Sequence, residues 1–262
     1  MPQHSSTTNN SSPPHRQGCD ATSLALVMEQ ERRTAANYAC HDYLSQSADG
    51  DLSDESSPCH NEMLRITPED RTKLVDWCYD VVDRCQFDRE TVAAAVDIAD
   101  RFVSTRGNRP QEILRDRGQY QLVIMTSLYI SIKICERSVL KSEDFGAISR
   151  GAYSKEDIES MERTILQGLE WRLLCHPTAL RVGREILELM SARVGEGNII
   201  LKSSGAWDFF REEVAFQTER AVRGYYFVTQ RPSTVAAAAI LTAIEGLNDD
   251  GDCEILMEAL LC

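Results

Sequence analysis

Residues 119–135 constrain the fold more than any other stretch, because they are apolar on nearly every side of a helix. A helix of that kind is stable where other helices cover it all round, at the centre of a bundle. Thr126, Ser127 and Ser131 are small and keep this helix slim, so its neighbours can pack close. The sequence therefore predicts a helical bundle with residues 119–135 at its centre.

The segments on both sides of this central helix each have one apolar face. At Thr67 the sequence Thr-Pro-Glu-Asp combines an N-cap, a proline at the first helical position and an acid at the third. Ser154 begins another helix in the same way, with Asp157 three residues later. Apolar residues then recur at three and four positions, the spacing of a buried helical face: Leu74, Trp77, Cys78, Val81, Val82 and Cys85; Val92, Ala95, Val96, Ala99, Phe102 and Val103; and Ile158, Met161, Ile165, Leu166 and Leu169.

The chain divides into a tail and two all-α units. Residues 1–64 are predicted to be a largely disordered tail with a short helix near 24–44, because polar residues dominate them. Residues 65–175 hold about five helices and form the first bundle. Residues 176–262 form a second, similar bundle, which is expected to be short because a full fifth helix does not fit before Cys262. Its helices are predicted near 180–190, 207–225 and 232–246.

The composition argues against several kinds of partner and site. The formal charge of −13 disfavours binding to nucleic acid or to anionic lipid, both of which need a basic surface. The longest apolar run, residues 235–241, is far shorter than the ~20 residues that cross a bilayer, and the N-terminus does not resemble a secretory signal. The nine cysteines are odd in number and contain no Cys-x-x-Cys pair, so we read them as reduced core residues. A protein of the nucleus and cytoplasm is predicted.

A set of motifs occurs in a fixed order between residues 71 and 171. The motifs are Arg71 with Leu74-Val-Asp-Trp77, Asp100-Arg-Phe, Lys133 with Glu136, Met161-Glu162, and Leu169-Glu-Trp171. In this order they resemble a cyclin box. The alanine-rich run that follows Arg231 resembles the second cyclin fold, especially that of the D-type cyclins. The resemblance implies tandem five-helix boxes that do no covalent chemistry and act through protein partners.

The resemblance gives Arg71 and Asp100 a structural role. In cyclins the matching residues form a buried ion pair that ties the first helix of the box to the second. Such a pair adds little net stability, but removing one partner leaves a buried charge at a cost of roughly 3–5 kcal/mol. The alternative is two exposed charges on separate helices.

A second set of residues matches the cyclin surface that binds a kinase. Lys133 and Glu162, 29 positions apart, match the lysine and glutamate that hold the kinase backbone next to its mobile C helix. Glu136 belongs to the same patch, and Ile134 stands where an aromatic residue is common. Trp171 matches the large aromatic residue that packs on the kinase helix, and an ordinary core tryptophan is an equal alternative.

A third set matches the groove in which many cyclins bind Arg-x-Leu segments of substrates and inhibitors. Leu74, Trp77 and Gln121 are kept, whereas Asp70 and Lys73 replace a Met and an Ile. Charges at the mouth of an apolar groove must be desolvated by any bound leucine. The sequence therefore predicts weak docking or a preference for other peptides.

No metal, cofactor or nucleotide is predicted. The chain contains neither a Gly-x-Gly-x-x-Gly motif nor a phosphate loop. A calcium loop centred on Gly251 would place Gly246 at its first position and Met257 at its last, where carboxylates are needed. Asp97 and Asp100 lack the Asp-Asp-x-x-Asp run of the magnesium-dependent isoprenoid enzymes.

These observations predict a cyclin that forms a heterodimer with a cyclin-dependent kinase and activates it in the cell cycle. G1 or G1/S is favoured by the Leu-Glu-Trp-Arg run and by a tail without a mitotic destruction signal. Residues 45–61 are acidic, Ser-rich and free of Lys and Arg, like the unstable stretches of short-lived G1 cyclins. A ubiquitin ligase is therefore expected as a partner, in addition to inhibitors and substrates. The alternative is a kinase-independent cyclin-fold scaffold or a transcription-related module.

Overall fold

The computed structural model describes residues 20–38, 40–46, 65–105, 108–137, 140–174, 176–194, 205–247 and 250–261. Within these residues every regular element is helical, which confirms the all-α prediction. The predicted tail before residue 20 and most of the 45–61 segment lie outside the described residues. In chain order the α-helices are α1 (Asp20–Tyr38), α2 (Tyr43–Gln46), α3 (Pro68–Cys85), α4 (Glu90–Val103), α5 (Asn108–Ile113), α6 (Arg117–Cys135), α7 (Ser142–Ile148), α8 (Lys155–Gly168), α9 (Ala179–Val194), α10 (Ala206–Arg223), α11 (Pro232–Glu245) and α12 (Asp250–Leu261).

The first bundle is built from α3 to α8 around α6. Every residue of α6 from 122 to 132 is buried, and α3, α4 and α8 pack against it. Both helix starts that were read from the sequence are present. Thr67 accepts a hydrogen bond from the Asp70 amide while the Asp70 side chain accepts one in return, and Ser154 and Asp157 do the same at α8. Reciprocal caps of this kind define where α3 and α8 begin.

The second bundle contains α9 to α12, with a 3-10 helix, Tyr225–Thr229, before α11. The first three helices correspond to the segments predicted near 180–190, 207–225 and 232–246. α12 was not predicted, because the acids and glycine at its start are typical of a loop. Leu256 and Ala259 nevertheless bury its inner face against the second core.

α1 begins and ends several residues earlier than the helix predicted near 24–44, and it packs on the second bundle. Val27 is buried against Val182 of α9 and Ala236 of α11. The carboxylate of Glu31 accepts a hydrogen bond of 2.7 Å from the backbone N–H of Ser233, in the first turn of α11. An acid from one helix thus satisfies a free amide at the start of another.

Two predictions drawn from composition can be compared with these helices. In the part of the chain that the structure describes, no helix is both long enough and apolar enough to span a bilayer. The described cysteines are free thiols, but only Cys78 is fully buried and Cys135 is exposed, so the assignment of the cysteines to the core was too general.

Candidate functional site

Lys133 and Glu162 form an ion pair at the surface of the first bundle. The Lys133 Nζ lies 2.7 Å from Glu162 Oε1 and 4.8 Å from the centre of the Tyr129 ring on the preceding turn of α6. The lysine side chain is 37% exposed and the glutamate 15%. Each partner keeps hydrogen-bonding capacity, because an ammonium has three donors and a carboxylate has several acceptor sites. The pair is preformed and open to a further partner.

Two apolar side chains with high exposure belong to the same bundle. Ile134, next to Lys133, is 44% exposed, and Trp171, just after α8, is 72% exposed. The alternative of a core tryptophan is therefore wrong. Trp171 and Glu170 both have positive φ, 63° and 51°, which non-glycine residues adopt rarely and at a cost of about 1–3 kcal/mol. We call Lys133, Ile134, Glu162 and Trp171 the α6–α8 patch.

The Glu136 side chain makes hydrogen bonds within the protein. Its Oε1 accepts hydrogen bonds from the Asp88 amide at 3.0 Å and from the Thr91 hydroxyl at 2.5 Å. These contacts hold the end of α6 to the start of α4, where amide groups lack helical partners. Glu136 therefore supports the patch, and one of its two carboxylate oxygens already accepts hydrogen bonds from the chain.

Arg71 and Asp100 lie at the junction of α3 with α4. The arginine side chain is 2% exposed and the aspartate side chain 7%. Two parallel hydrogen bonds join them, 3.1 Å from Nε to Oδ1 and 2.7 Å from Nη2 to Oδ2. Burial acts to lower the pKa of Arg71, and the Asp100 carboxylate outweighs it, so the pKa rises and the guanidinium stays charged.

The same arginine also contacts the second bundle, a contact that sequence analysis did not predict. Its Nη1 donates to the carbonyls of Val222 at 2.9 Å and Arg223 at 3.2 Å, the last residues of α10. Tyr43 of α2 donates its hydroxyl to Asp100 at 2.8 Å. One ion pair therefore joins α2, α3, α4 and α10, and no spacing rule links residues so far apart in sequence.

The groove residues lie on two helices, with Asp70, Lys73, Leu74 and Trp77 on α3 and Gln121 on α6. Leu74, Trp77 and Gln121 are half-buried, and Lys73 is exposed. Asp70 differs from its predicted place at the groove mouth, because its carboxylate is part of the cap with Thr67. It also lies 3.3 Å from the Arg117 guanidinium. Of the two charged groove residues, Lys73 is the one that has no ion pair with any residue that the structure describes.

Among the described residues there is no cluster of His, Cys, Asp and Glu that would hold a metal ion. The candidate sites consist of an open ion pair, exposed apolar side chains and the half-buried residues Leu74, Trp77 and Gln121.

The chain is similar to known proteins over much of its length. The family model of the N-terminal cyclin domain matches residues 39–174. The chain is 30% identical over 184 residues to G2/mitotic-specific cyclin-A1 of Caenorhabditis elegans, covering 70% of this chain and 33% of that one. It is 34% identical over 108 residues to G1/S-specific cyclin-E1 of Gallus gallus, covering 41% and 25%. With G2/mitotic-specific cyclin-2 of Medicago sativa the identity is 29% over 227 residues, covering 86% and 60%. The chain thus spans at most 60% of the length of these relatives.

Among solved structures, a viral cyclin from herpesvirus saimiri superposes with a TM-score of 0.56. The aligned part covers 75% of this chain and 86% of that chain, at 14% sequence identity. At this identity the likeness concerns the fold alone, and it agrees with the helical bundles described above.

Proposed function

Because the chain belongs to the cyclin family, we propose that it is a regulatory subunit that binds and activates a cyclin-dependent Ser/Thr kinase. The observation that carries this proposal is the α6–α8 patch. Lys133 and Glu162 come from different helices yet form one pair that is open to solvent, and the exposed Ile134 and Trp171 belong to the same bundle. A charged pair together with exposed apolar side chains suits a partner that offers backbone groups and apolar side chains.

The patch would act by changing the population of kinase conformations. A kinase of this class is active when a glutamate of its C helix pairs with the lysine that holds the ATP phosphates. Lys133 would donate to backbone carbonyls beside that helix, and Glu162 would accept from backbone amides. A partner that binds the inward position of the helix more tightly shifts the population towards it. The proposed subunit performs no catalysis itself.

Co-purification with a kinase tests this proposal. Tagged protein, residues 1–262, is captured from cell extract and assayed for kinase activity on a histone substrate. Lys133→Ala and Glu162→Ala should each abolish detectable activation. In the complex these charges would be buried and hydrogen-bonded to the kinase, and truncating one member of such a set costs about 2–5 kcal/mol of binding. The thermal unfolding midpoint should stay nearly unchanged, since surface ion pairs contribute about 0–1 kcal/mol.

The chain offers a matched control for these variants. Lys155 of α8 and Glu143 of α7 form a surface ion pair of 2.9 Å in the same bundle, and neither residue belongs to the α6–α8 patch. Lys155→Ala should retain full activation. Normal activation by the Lys133 and Glu162 variants would contradict the proposed surface, and capture of partners without kinase activity would favour a kinase-independent scaffold instead.

The proposal also covers the cell-cycle phase in which the protein acts and its location in the cell. The relatives carry mitotic as well as G1/S names, so the G1 or G1/S assignment stays a prediction. We propose that the protein acts in the nucleus and cytoplasm, with inhibitors, substrates and a ubiquitin ligase as further partners. Immunoblots across a synchronised cell cycle would check the phase, and an abundance peak in mitosis would contradict it.

A further inference from the structure

A cavity of about 390 Å³ lies between the two bundles. This volume is within the range of about 300–1,000 Å³ found for small-molecule sites, which occur preferentially where two domains meet. The apolar part of its wall comes from both bundles, so an occupant would contact both. Residues of this wall include Ala93, Ala94 and Val96 of α4, and Pro177, Val228 and Val235.

Four carboxylates face the cavity, and each already has a partner. Asp100 is paired with Arg71, and Asp97 is bound by both Arg101 and His176. The others are Glu90, which is bound by Arg184 and by the Thr178 hydroxyl, and Asp88, which accepts from the Glu90 amide. Three of the four carboxylates are thus bound by cationic side chains, and the described residues contain no group of acids that could hold a metal ion.

The polar groups of the wall that lack a partner among the described residues are not acidic. Arg181 of α9 lines the cavity, and its guanidinium has no ion pair with any residue that the structure describes. The side-chain amide of Gln230 and the Nε2 atom of His176 likewise have no hydrogen-bond partner among the described residues. The His176 Nδ1 is 3.1 Å from Asp97 Oδ1, so Nε2 is an acceptor when the ring is neutral. One free cation, one amide and one ring nitrogen thus accompany an apolar wall.

We propose that this cavity binds a small molecule with an apolar body and a single anionic group. The body would lie against the alanine and valine side chains of α4 and α11. The anionic group would pair with Arg181, whose planar guanidinium suits carboxylate and sulfonate oxygens. The occupant would join the two bundles, and by mass action it would raise the unfolding midpoint of the whole chain.

Two dyes with the same aromatic body test the site. Anilinonaphthalene sulfonate carries one anionic group, and phenylnaphthylamine is the same body without it. Titration of residues 1–262 with each dye, followed by fluorescence, should give saturable binding of one dye per chain. The sulfonate dye should bind about tenfold more tightly, which corresponds to about 1.4 kcal/mol.

Two variants separate this cavity from other apolar surfaces. Ala93→Phe places a ring in the cavity and should weaken both dyes at least tenfold, whereas Ala147→Phe, on the exposed side of α7, should change neither. Arg181→Gln should weaken the sulfonate dye about tenfold and leave the neutral dye unaffected. Arg211→Gln, an exposed position of α10 outside the cavity, is its control.

The outcomes decide the proposal even if one variant folds poorly. Circular dichroism melts check that Ala93→Phe is folded, and Arg181→Gln, at an exposed position, gives a result that does not depend on it. Equal loss of the sulfonate dye in Arg181→Gln and Arg211→Gln would overturn the assignment of the anion. Undiminished binding of both dyes to folded Ala93→Phe, or binding of several dyes per chain, would show that they occupy another surface.

Discussion

Arg71 shows how much one buried side chain can organise in this molecule. Its guanidinium uses two nitrogens for Asp100 and the third for the carbonyls at the end of α10. A buried ion pair alone is weak evidence of stability, because desolvation offsets the attraction between its charges. The contact with α10 adds a second contribution, since a cation at a helix C-terminus satisfies free carbonyls and interacts favourably with the helix dipole.

We expect Arg71→Ala to be one of the more destabilising single changes in the chain. It leaves the Asp100 carboxylate buried without its cation and removes two hydrogen bonds to α10. The free energy of unfolding should fall by roughly 3–5 kcal/mol. At about 2–4 °C per kcal/mol for a chain of this size, the thermal midpoint should drop by about 10 °C.

Two further variants show which property of Arg71 matters. Arg71→Lys keeps the charge but lacks the planar fork, so its loss should be intermediate. Arg163→Ala, at an exposed position of α8, should leave the midpoint unchanged. A melt of Arg71→Ala that matches the wild type would contradict the role given to this junction.

The helices differ in how well the sequence predicted them. α3 and α8 have both a reciprocal cap and a regular apolar stripe, and their starts were predicted from those features. α6 was recognised because it is apolar all round, which only a central helix tolerates. α12 was missed because local acids and a glycine outweighed a short apolar face that becomes evident only against the second core.

A single substitution in the groove beside α3 should change its affinity for peptides. Lys73 is exposed beside half-buried Leu74 and Trp77 and stands where an Ile is common. Lys73→Ile should raise the affinity for an Arg-x-Leu peptide about tenfold, because full burial of an Ile side chain contributes about 1.5–3 kcal/mol. Isothermal titration with a fluorescent or unlabelled peptide measures this change.

The described role of Asp70 changes the design of that experiment. Restoring both apolar residues would also replace Asp70 by Met, but the Asp70 carboxylate is part of the cap of α3 with Thr67. Asp70→Met should therefore lower the stability by about 1 kcal/mol, the usual effect of losing a cap, in addition to any effect on binding. Tight binding of the peptide by the wild-type chain would contradict the prediction of a weak groove.

At the scale of the whole molecule, the contacts between the bundles were the least predictable feature. Arg89 of the first bundle pairs with Glu219 of the second at 2.7 Å, and Arg223 pairs with Asp76 at the same distance. The residues of these pairs are 130 and 147 positions apart. The tandem arrangement was predicted from the helical pattern and supported by the resemblance. The ion pairs, the docked α1 and the cavity depend on a relative orientation of the bundles that periodicity does not encode.

The segment between α2 and α3 is predicted to control the abundance of the protein. Deleting residues 47–64 should lengthen the half-life in cycloheximide-treated cells, because this acidic, Ser-rich stretch contains the proline-directed site Ser57-Pro58. The deletion should spare α1, which packs on the second bundle. Ser57→Ala should reproduce part of the effect if phosphorylation is required. An unchanged half-life in the deletion variant would indicate an inert linker.

The exposed indole of Trp171 also makes the chain its own optical reporter. The protein has three tryptophans, and Trp77 is half-buried while Trp207 is 8% exposed. An indole surrounded by water emits at longer wavelength and is reached by quenchers such as acrylamide. Covering Trp171 with a partner would therefore move the emission to the blue and shield it from quenching. Complex formation could be followed in a cuvette without attaching any label.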